Sequence, residues 1–366
     1  MLIHNLYFKN FRNYSEQEIT FTNGINILVG SNGQGKTNVL EGIYYLLMGK
    51  SYRVNQESEL IYWGQKNFYL RANFEAYERK YCLESYYEKG KKAIKINQLA
   101  CQKLSEYVGM INVVFFTPDD LNIIKSGPLE RRRFIDLLLI QVKPAHISLL
   151  NTYIRILKQK SILLKRSLNK AAANDQLLVW NEQLLETGSR VIRNRYEMTE
   201  KLQNQCGKMF SKVFGCHENM DLQYVSLGRK SLDEALAYFP EALEKQRDAE
   251  IERRAVLVGP HRDDIIVNIN GRSARYYASQ GQQRSLVLCL KLAEMEIINK
   301  EKEEYPILLL DDVLSELDEG RREYLMEYIS NSNKQTMITT TDLGQIEKQK
   351  DPAVYIVKQG TIRRES

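Results

Sequence analysis

The period of the hydrophobic positions changes several times along the chain, and each change marks an element. Leu2 to Phe8 and Ile25 to Val29 are apolar, partly β-branched runs of strand length, and the second ends at Gly30, where a glycine-rich turn opens. From Thr37 onward Val39, Leu40, Ile43, Leu46 and Leu47 recur at helical spacing, with Gly49 as the stop signal. Strand, glycine loop and helix therefore follow one another. Between Asn67 and Leu99 the period drops to two. Phe68, Leu70, Ala72 and Phe74 alternate with polar residues and YCLESYY continues the pattern, which predicts antiparallel strands with Lys89 to Lys92 as a basic turn.

After the apolar run Val113 to Phe116 and the TPDD turn, helix formers dominate from Leu129 to Ala249 and β patterns are few. Ile154, Leu157, Leu164 and Leu168, then Leu178, Leu185 and Val191 beyond the break NKAAAND, predict two antiparallel helices of a small helical domain. Strand character returns at Ala255 to Val258 and Ile265 to Ile269, on either side of GPHRDD, and at Ile307 to Leu310 and Thr336 to Thr340, which flank a helix. The expected fold class is α/β, with a β-rich antiparallel subdomain and a helical lobe inserted in the chain. A nucleotide-binding domain over residues 1–125 and 250–366 is split by a helical insertion over 126–249.

Composition narrows the class only a little. At 366 residues, 43% hydrophobic and 27% charged, the chain is long enough for two or three domains and too apolar to be mainly disordered. A net charge of +6 is compatible with polyanionic partners and equally with a solvated surface, so charge alone decides nothing. The five cysteines are odd in number and lack a CxxC pair, which indicates neither a disulfide framework nor zinc and fits a reducing cytoplasm. No apolar stretch approaches the roughly 18 residues of a membrane span, so a soluble cytoplasmic protein without a membrane partner is expected.

The chemistry sits in four blocks. Gly30, Ser31, Asn32, Gly33, Gln34, Gly35, Lys36 and Thr37 fit G-x-x-x-x-G-K-[ST] in its required strand–loop–helix setting. Such a loop curls its N–H groups around phosphate oxygens, Lys36 reaches the β and γ phosphates, and Thr37 ligates Mg²⁺. Ile307 to Leu310 form a buried strand that delivers Asp311 and Asp312 at its end, the first to hold Mg²⁺ and the second to orient or deprotonate the attacking water. ATP and Mg²⁺ are the implied cofactors, and Lys36, Asp311 and Asp312 the catalytic candidates. Ser279-Gln280-Gly281-Gln282-Gln283 leads into a helix, and Ser315 to Asp318 follow the acidic strand. The first can be a simple helix cap with Ser279 as the capping residue. It can also be a second phosphate-facing helix N-terminus that caps the ATP of another subunit, which predicts an ATP-dependent homodimer.

Together the four blocks resemble an ABC ATPase of the SMC-like branch and, more narrowly, the RecF family of bacterial recombinational repair. KNFRNY, GSNGQGKT, TPDDL, GPLERRRFID, GPHRDD, SQGQQR and LLLDDVLSELD carry the resemblance over most of the chain, and GPLERRRF and GPHRDD are not general ABC features. The resemblance implies a DNA-binding protein of repair and replication that acts on double-stranded DNA and single-strand/double-strand junctions. It implies a slow, DNA-stimulated ATPase that helps RecO and RecR place recombinase on single strands. It implies Ser279, Gly281, Gln282 and Asp318 as nucleotide contacts across a dimer. Arg12 becomes a nucleotide contact by the same route, while its residue-level alternative is a surface arginine beside a turn.

Two departures from the wider ABC pattern bear on rate. Asp312 replaces the usual glutamate with a shorter acid, and TTTDL lacks the switch histidine, leaving a threonine, with Thr340 the candidate, to sense the γ-phosphate. His261 is one of four histidines, none at metal-ligand spacing, and has the expectation of a structural role. Arg131, Arg132 and Arg133 with Lys158, Lys160, Lys165 and Arg166 either track phosphates or form a solvated helix face. A transporter subunit would carry the histidine and lack the insertion. An SMC-like phage-defence or nuclease-associated ATPase is the better alternative, although the roughly 50 residues past Asp312 are few for an added nuclease domain.

Overall fold

The computed structural model describes residues 1–166, 170–214, 218–331, 334–345 and 352–365, and the chain forms two compact units. Unit 1 comprises Met1–Asp120 and Lys291–Ser366, and unit 2 comprises Leu121–Leu290.

Unit 1 opens with β1 (Leu2–Phe11), β2 (Tyr14–Thr20), β3 (Ile25–Val29) and α1 (Lys36–Met48), then β4 (Asn67–Ala76), β5 (Arg79–Glu88), β6 (Lys91–Ile96), β7 (Leu99–Cys101) and β8 (Val113–Phe116). α1 ends where the sequence places its stop: Gly49 takes the left-handed conformation at φ +68°, and its N–H reaches the Tyr45 carbonyl. The alternation along β4 is that of a one-sided strand, with Phe68, Leu70, Ala72, Phe74 and Ala76 buried. The basic turn is shorter than expected. Lys89 and Gly90 make it, and Lys91 and Lys92 already belong to β6.

Unit 2 contains the short α2 (Asn122–Lys125), α3 (Pro128–Val142), α4 (Ala145–Arg166), α5 (Lys170–Phe214), β9 (Met220–Val225), α6 (Leu232–Lys245), α7 (Arg247–Arg253), β10 (Asp264–Ile269), β11 (Arg272–Ser273) and the short α8 (Ala274–Tyr277). α9 (Gln280–Lys302) begins in unit 2 and ends in unit 1, whose remainder is β12 (Ile307–Asp311), α10 (Glu319–Ser330), β13 (Thr336–Thr340), β14 (Ala353–Lys358) and β15 (Thr361–Arg364). Unit 2 thus reaches further along the chain than residues 126–249. The reason is pairing: β9 lies antiparallel to β10 and β10 to β11, which ties residues past 249 into its three-stranded sheet.

Two sheets build unit 1. One is antiparallel in the order β2-β1-β4-β5-β6-β7, and the other runs β15-β14-β3-β13-β12-β8 with all pairs parallel except β14 with β15. The buried Gln335 side chain connects them. Its Oε1 accepts from the Ile3 amide at 2.7 Å, and its Nε2 donates to the Ile3 and Thr22 carbonyls at 2.8 Å each.

Several expectations are corrected in unit 2. Val191 lies in the buried seam of α5 as expected, with Leu177, Leu184 and Met198 at seven-residue spacing, but the other two expected positions are one residue out of phase: Leu178 is exposed and Leu185 only half-buried. Ile154 of α4 is likewise exposed, and Leu168 lies outside the described residues. The break NKAAAND is already helical from Lys170, with Asn169 outside the described residues. Ala255 to Val258 form no strand. Val256 is buried against Leu164 and Leu177, and its carbonyl accepts from the His261 and Arg262 side chains instead of a neighbouring strand.

The basic residues of the insertion divide by burial. Arg131 is buried and forks onto Asp264 at 2.7 and 3.0 Å, Arg132 donates to the Asp263 carbonyl, and Lys160 is fully buried against Glu250 at 2.6 Å. These three hold the unit together and present no phosphate track. Arg133, Lys158, Lys165 and Arg166 are exposed.

Candidate nucleotide-binding site

The site forms where three parallel strands end. β3 runs into Gly30, β12 delivers Asp311 and Asp312, and β13 lies between them, paired with both. Gly30 closes onto the sheet through its N–H to the Thr340 carbonyl. Among the described residues, no backbone amide from Ser31 to Thr37 has an acceptor. Seven consecutive N–H groups at a helix N-terminus form an anion cradle.

Its shape is gripped from outside. Asn13 Nδ2 donates to the Gln34 carbonyl at 2.9 Å, Asn13 Oδ1 accepts from Asn38 at 2.8 Å, and the Tyr14 hydroxyl donates to the Gly35 carbonyl at 3.0 Å. Gly35 sits at φ +115°, and a Cβ there would meet the Asn13 amide at 2.5 Å, so both conformation and space require glycine. The KNFRNY turn is thus the brace of the loop, and Asn13 has a larger part in it than shaping its own turn.

Lys36 is buried, and its ammonium donates to the carbonyls of Gly30 and, at 3.1 Å, Ser31. Burial lowers its pKa, opposed by the charges of Asp312 and Asp311. Thr37 Oγ1 donates to Asp311 Oδ1 at 2.8 Å, joining the loop to the acidic strand. Thr339 Oγ1 donates to the same oxygen at 2.8 Å and accepts from the Asp312 amide at 2.9 Å. Burial raises the Asp311 pKa against the lowering effect of these two hydroxyls. Asp312 takes a left-handed backbone at φ +52°, rare for a residue other than glycine, at the end of its strand. Two hydroxyls on one buried carboxylate oxygen, beside a lysine inside an anion cradle, fit a phosphate-bound divalent cation.

Arg12 is not a loose surface arginine. Its guanidinium forks onto the fully buried Glu41 of α1 at 2.8 and 2.7 Å and donates to the Glu59 carbonyl at 3.0 Å. Ser51 also donates to Glu41, at 2.5 Å. Sequence reasoning missed Glu41 and Thr339. The signal for Glu41 was an acid inside the apolar helix VLEGIYYLL, where only a paired charge is tolerated. Thr340 is corrected as a sensor: it is buried, and its hydroxyl donates to the Asp342 carbonyl at 3.0 Å, closing a local turn.

In unit 2, Ser279 and Gln282 bond reciprocally, the Ser279 amide to Gln282 Oε1 at 2.8 Å and the Gln282 amide to Ser279 Oγ at 3.2 Å. This is a capping box, so the cap reading is realised and the N-terminus of α9 is well formed. Gly281 lies in the first turn, its carbonyl accepting from Ser285 at 3.1 Å. In unit 1, Asp318 caps α10 by accepting from the Arg321 amide at 3.0 Å. His261 is structural. Its Nδ1 pairs with the Tyr153 hydroxyl at 2.7 Å and burial lowers its pKa to about 4. No group of candidate metal ligands beyond this site and no helix able to cross a membrane occurs among the described residues. Cys82, Cys101, Cys206 and Cys289 form no disulfide among the described residues, and Cys216 lies outside them.

A parallel sheet with a phosphate loop on one strand and paired acids on another, joined to an antiparallel sheet and interrupted by a second lobe, defines an ABC-type P-loop ATPase head. Residues 2–363 match the RecF/RecN/SMC N terminal domain family. A DNA replication and repair protein RecF from Desulfitobacterium hafniense is 51% identical over 98% of both chains, and one from Natranaerobius thermophilus is 41% identical over 94% of this chain and 92% of its own. The solved structure of the recombination mediator protein RecF-ATP in the RecFOR pathway superposes with a TM-score of 0.90 at 33% identity, covering 100% of this chain and 97% of that one. An Smc head bound to the C-winged helix domain of ScpA, at 17% identity and a TM-score of 0.60 over 100% and 97% of the two chains, shares the fold. The chain belongs to the RecF family.

Proposed function

We propose that the chain is an ATP-driven switch that acts on DNA in recombinational repair and replication. The observation that carries the nucleotide half is the 2.8 Å bond from Thr37 to Asp311, set beside Lys36 within a loop of unpaired amides. The loop amides and Lys36 bind the phosphates, and Thr37 and Asp311 hold Mg²⁺. The bound ion supplies charge neutralisation at the phosphates. Asp312 orients the attacking water, and its short side chain makes turnover slow. Arg12 contacts the nucleotide through the N–H groups its fork on Glu41 leaves.

Ser279, Gly281 and Gln282 of a second copy, with its Asp318, complete the site and make the dimer depend on ATP. Only the γ-phosphate distinguishes ATP from ADP, so it is the ligand that favours the closed dimer. The DNA half is supported by family membership: relatives are DNA replication and repair proteins, and one acts in the RecFOR pathway. The closed dimer clamps duplex DNA near single-strand gaps, hydrolysis is stimulated by DNA, and RecO and RecR are the partners.

Sedimentation with ATP, ADP or no nucleotide tests the switch, together with affinity for gapped, duplex and single-stranded ligands at two salt concentrations. ATP should produce a dimer and at least about tenfold tighter duplex binding, a free-energy difference near 1.4 kcal/mol. Lys36→Met should abolish both effects. Affinities that do not depend on nucleotide would sink the proposal.

A further inference from the structure

The antiparallel sheet of unit 1 buries one face, and its other face carries chemistry that the nucleotide site does not use. Strand register sets this face out as a grid. Lys9 on β1 stands opposite Tyr69 on β4, which stands opposite Tyr86 on β5, and in the next row Tyr7 stands opposite Arg71 and Arg71 opposite Glu84. The rings of Tyr7 and Tyr69 lie 6.0 Å apart, edge to face, and the Arg71 guanidinium is 5.5 Å from the Tyr7 ring centre. The tyrosines, Lys9 and Arg71 of this grid, with Asn10 and Asn67, line an open groove of about 760 Å³, and no aliphatic side chain lines it.

An independent feature stands at the end of β1. Tyr62 to Gln65 form a β-turn with Gly64 at φ +84°, and the turn is tethered by the Tyr62 N–H to the carbonyl of Asn10 at 2.8 Å. On it Trp63 is 94% exposed, an uncommon position for the largest apolar side chain. Three carboxylates of the same face are engaged, and Glu88 also bonds Tyr86. Glu16 accepts from the Tyr7 hydroxyl at 2.6 Å, Glu84 accepts from the Tyr69 hydroxyl, and Glu18 accepts from Asn5 at 3.2 Å and lies 4.0 Å from Arg71. These bonds fix the tyrosine rings while Lys9 is left exposed.

We propose that this face is a docking site for single-stranded DNA, with bases stacking on Trp63, Tyr69 and Tyr86 and the backbone held by Lys9 and Arg71. The proposal rests on the reading of the chain as a DNA-binding protein and assigns the single-stranded arm of a junction to a surface of its own. Aromatic faces interleaved with cations suit unpaired bases, since every base has a π face and its phosphate carries the charge. A duplex keeps its base faces hidden. A groove of tyrosine rings with an arginine could also suit a protein surface, and in that case titration with oligothymidylate would show no quenching.

The chain has two tryptophans, so Trp180→Phe leaves Trp63 as the only one. Full-length Trp180→Phe protein, without nucleotide, is titrated with oligothymidylate of about 15 nucleotides and with blunt duplex of equal length. Saturable quenching by oligothymidylate and none by duplex is expected. In the same background Tyr69→Ala and Tyr86→Ala should each weaken oligothymidylate binding about tenfold, while Tyr69→Phe, which keeps the ring, stays within about threefold of the parent. Duplex affinity and ATP-dependent sedimentation should not change. Unaltered oligothymidylate affinity in both alanine variants, absence of quenching, or equal loss of duplex binding would each overturn the assignment. Failure of the ATP switch would appear separately, as duplex affinity indifferent to nucleotide, which a nucleotide-free titration does not read.

Discussion

At the scale of single residues, the proposed reading gives Asp311 and Asp312, neighbours in sequence, different work. Asp311 is buried and accepts hydroxyls from Thr37 and Thr339, so Asp311→Asn should weaken Mg²⁺-dependent ATP binding by about tenfold to a hundredfold. Asp312→Asn should leave ATP affinity within about threefold and lower phosphate release by about a hundredfold or more, as the loss of a general base does. Nucleotide titration and a phosphate-release assay on the two variants separate the roles. If both behave alike, the division is wrong.

His261 and Asp263 give a second residue-scale prediction, in pH. Burial raises the Asp263 pKa to about 6 despite the Tyr224 hydroxyl that donates to it, and lowers that of His261 to about 4. A raised carboxyl binds its proton more tightly when folded, so the stability it contributes is present in acid and lost as pH rises toward about 6. A lowered histidine does the reverse, and its contribution is present above its ordinary pKa of 6.5 and lost as pH falls through about 4. The two slopes oppose each other, each worth about 3 kcal/mol. Relative to the parent, His261→Gln should therefore lose its rise in stability between about pH 4 and 6.5, and Asp263→Asn should lose its fall between about pH 4 and 6. Urea unfolding at several pH values reads both differences.

At the scale of elements, the pair Lys160–Glu250 joins α4 to α7 without access to water. Lys160→Met alone strands a buried carboxylate and should cost about 3–5 kcal/mol, whereas Lys160→Met with Glu250→Leu should recover most of it. A double-mutant cycle in urea measures the coupling, and additive losses would show the pair to be independent. The same lysine illustrates what was legible in the sequence. Strand, loop, helix and acidic strand could be read because period, glycines and a motif all agreed at Ile25 to Met48 and Ile307 to Asp311. Burial of Arg131 and Lys160 could not be read, because the partners that permit it, Asp264 and Glu250, stand far away in the chain. Periodicity alone also misplaced part of the α5 seam by one residue, where adjacent leucines at 177 and 178 offer two phases and only packing chooses. The strands β2 and β15 went unread because they are polar or short, whereas β9 and β14 are fixed by pairing to segments elsewhere in the chain, β10 and β3.

At the scale of the whole molecule, the two sheets of unit 1 share a fastening in Gln335. Gln335→Leu would leave the Ile3 amide and carbonyl without that partner in a buried place, and should cost about 3 kcal/mol. Thermal unfolding monitored with and without ATP would show the loss, and an unchanged midpoint would assign the fastening elsewhere. β3, which carries the phosphate loop, pairs only with β13 and β14, strands that the ribosome reaches roughly 300 residues later. At about 5–20 residues per second the strand waits some tens of seconds for its neighbours, while the segment between can already collapse into unit 2. Each nascent chain therefore passes through a period in which the apolar run Ile25 to Val29 has no sheet to join and is open to wrong strands or to a chaperone. The interrupted order of the units thus sets a timetable, in which the phosphate loop gains its sheet only after β13 and β14 have been made.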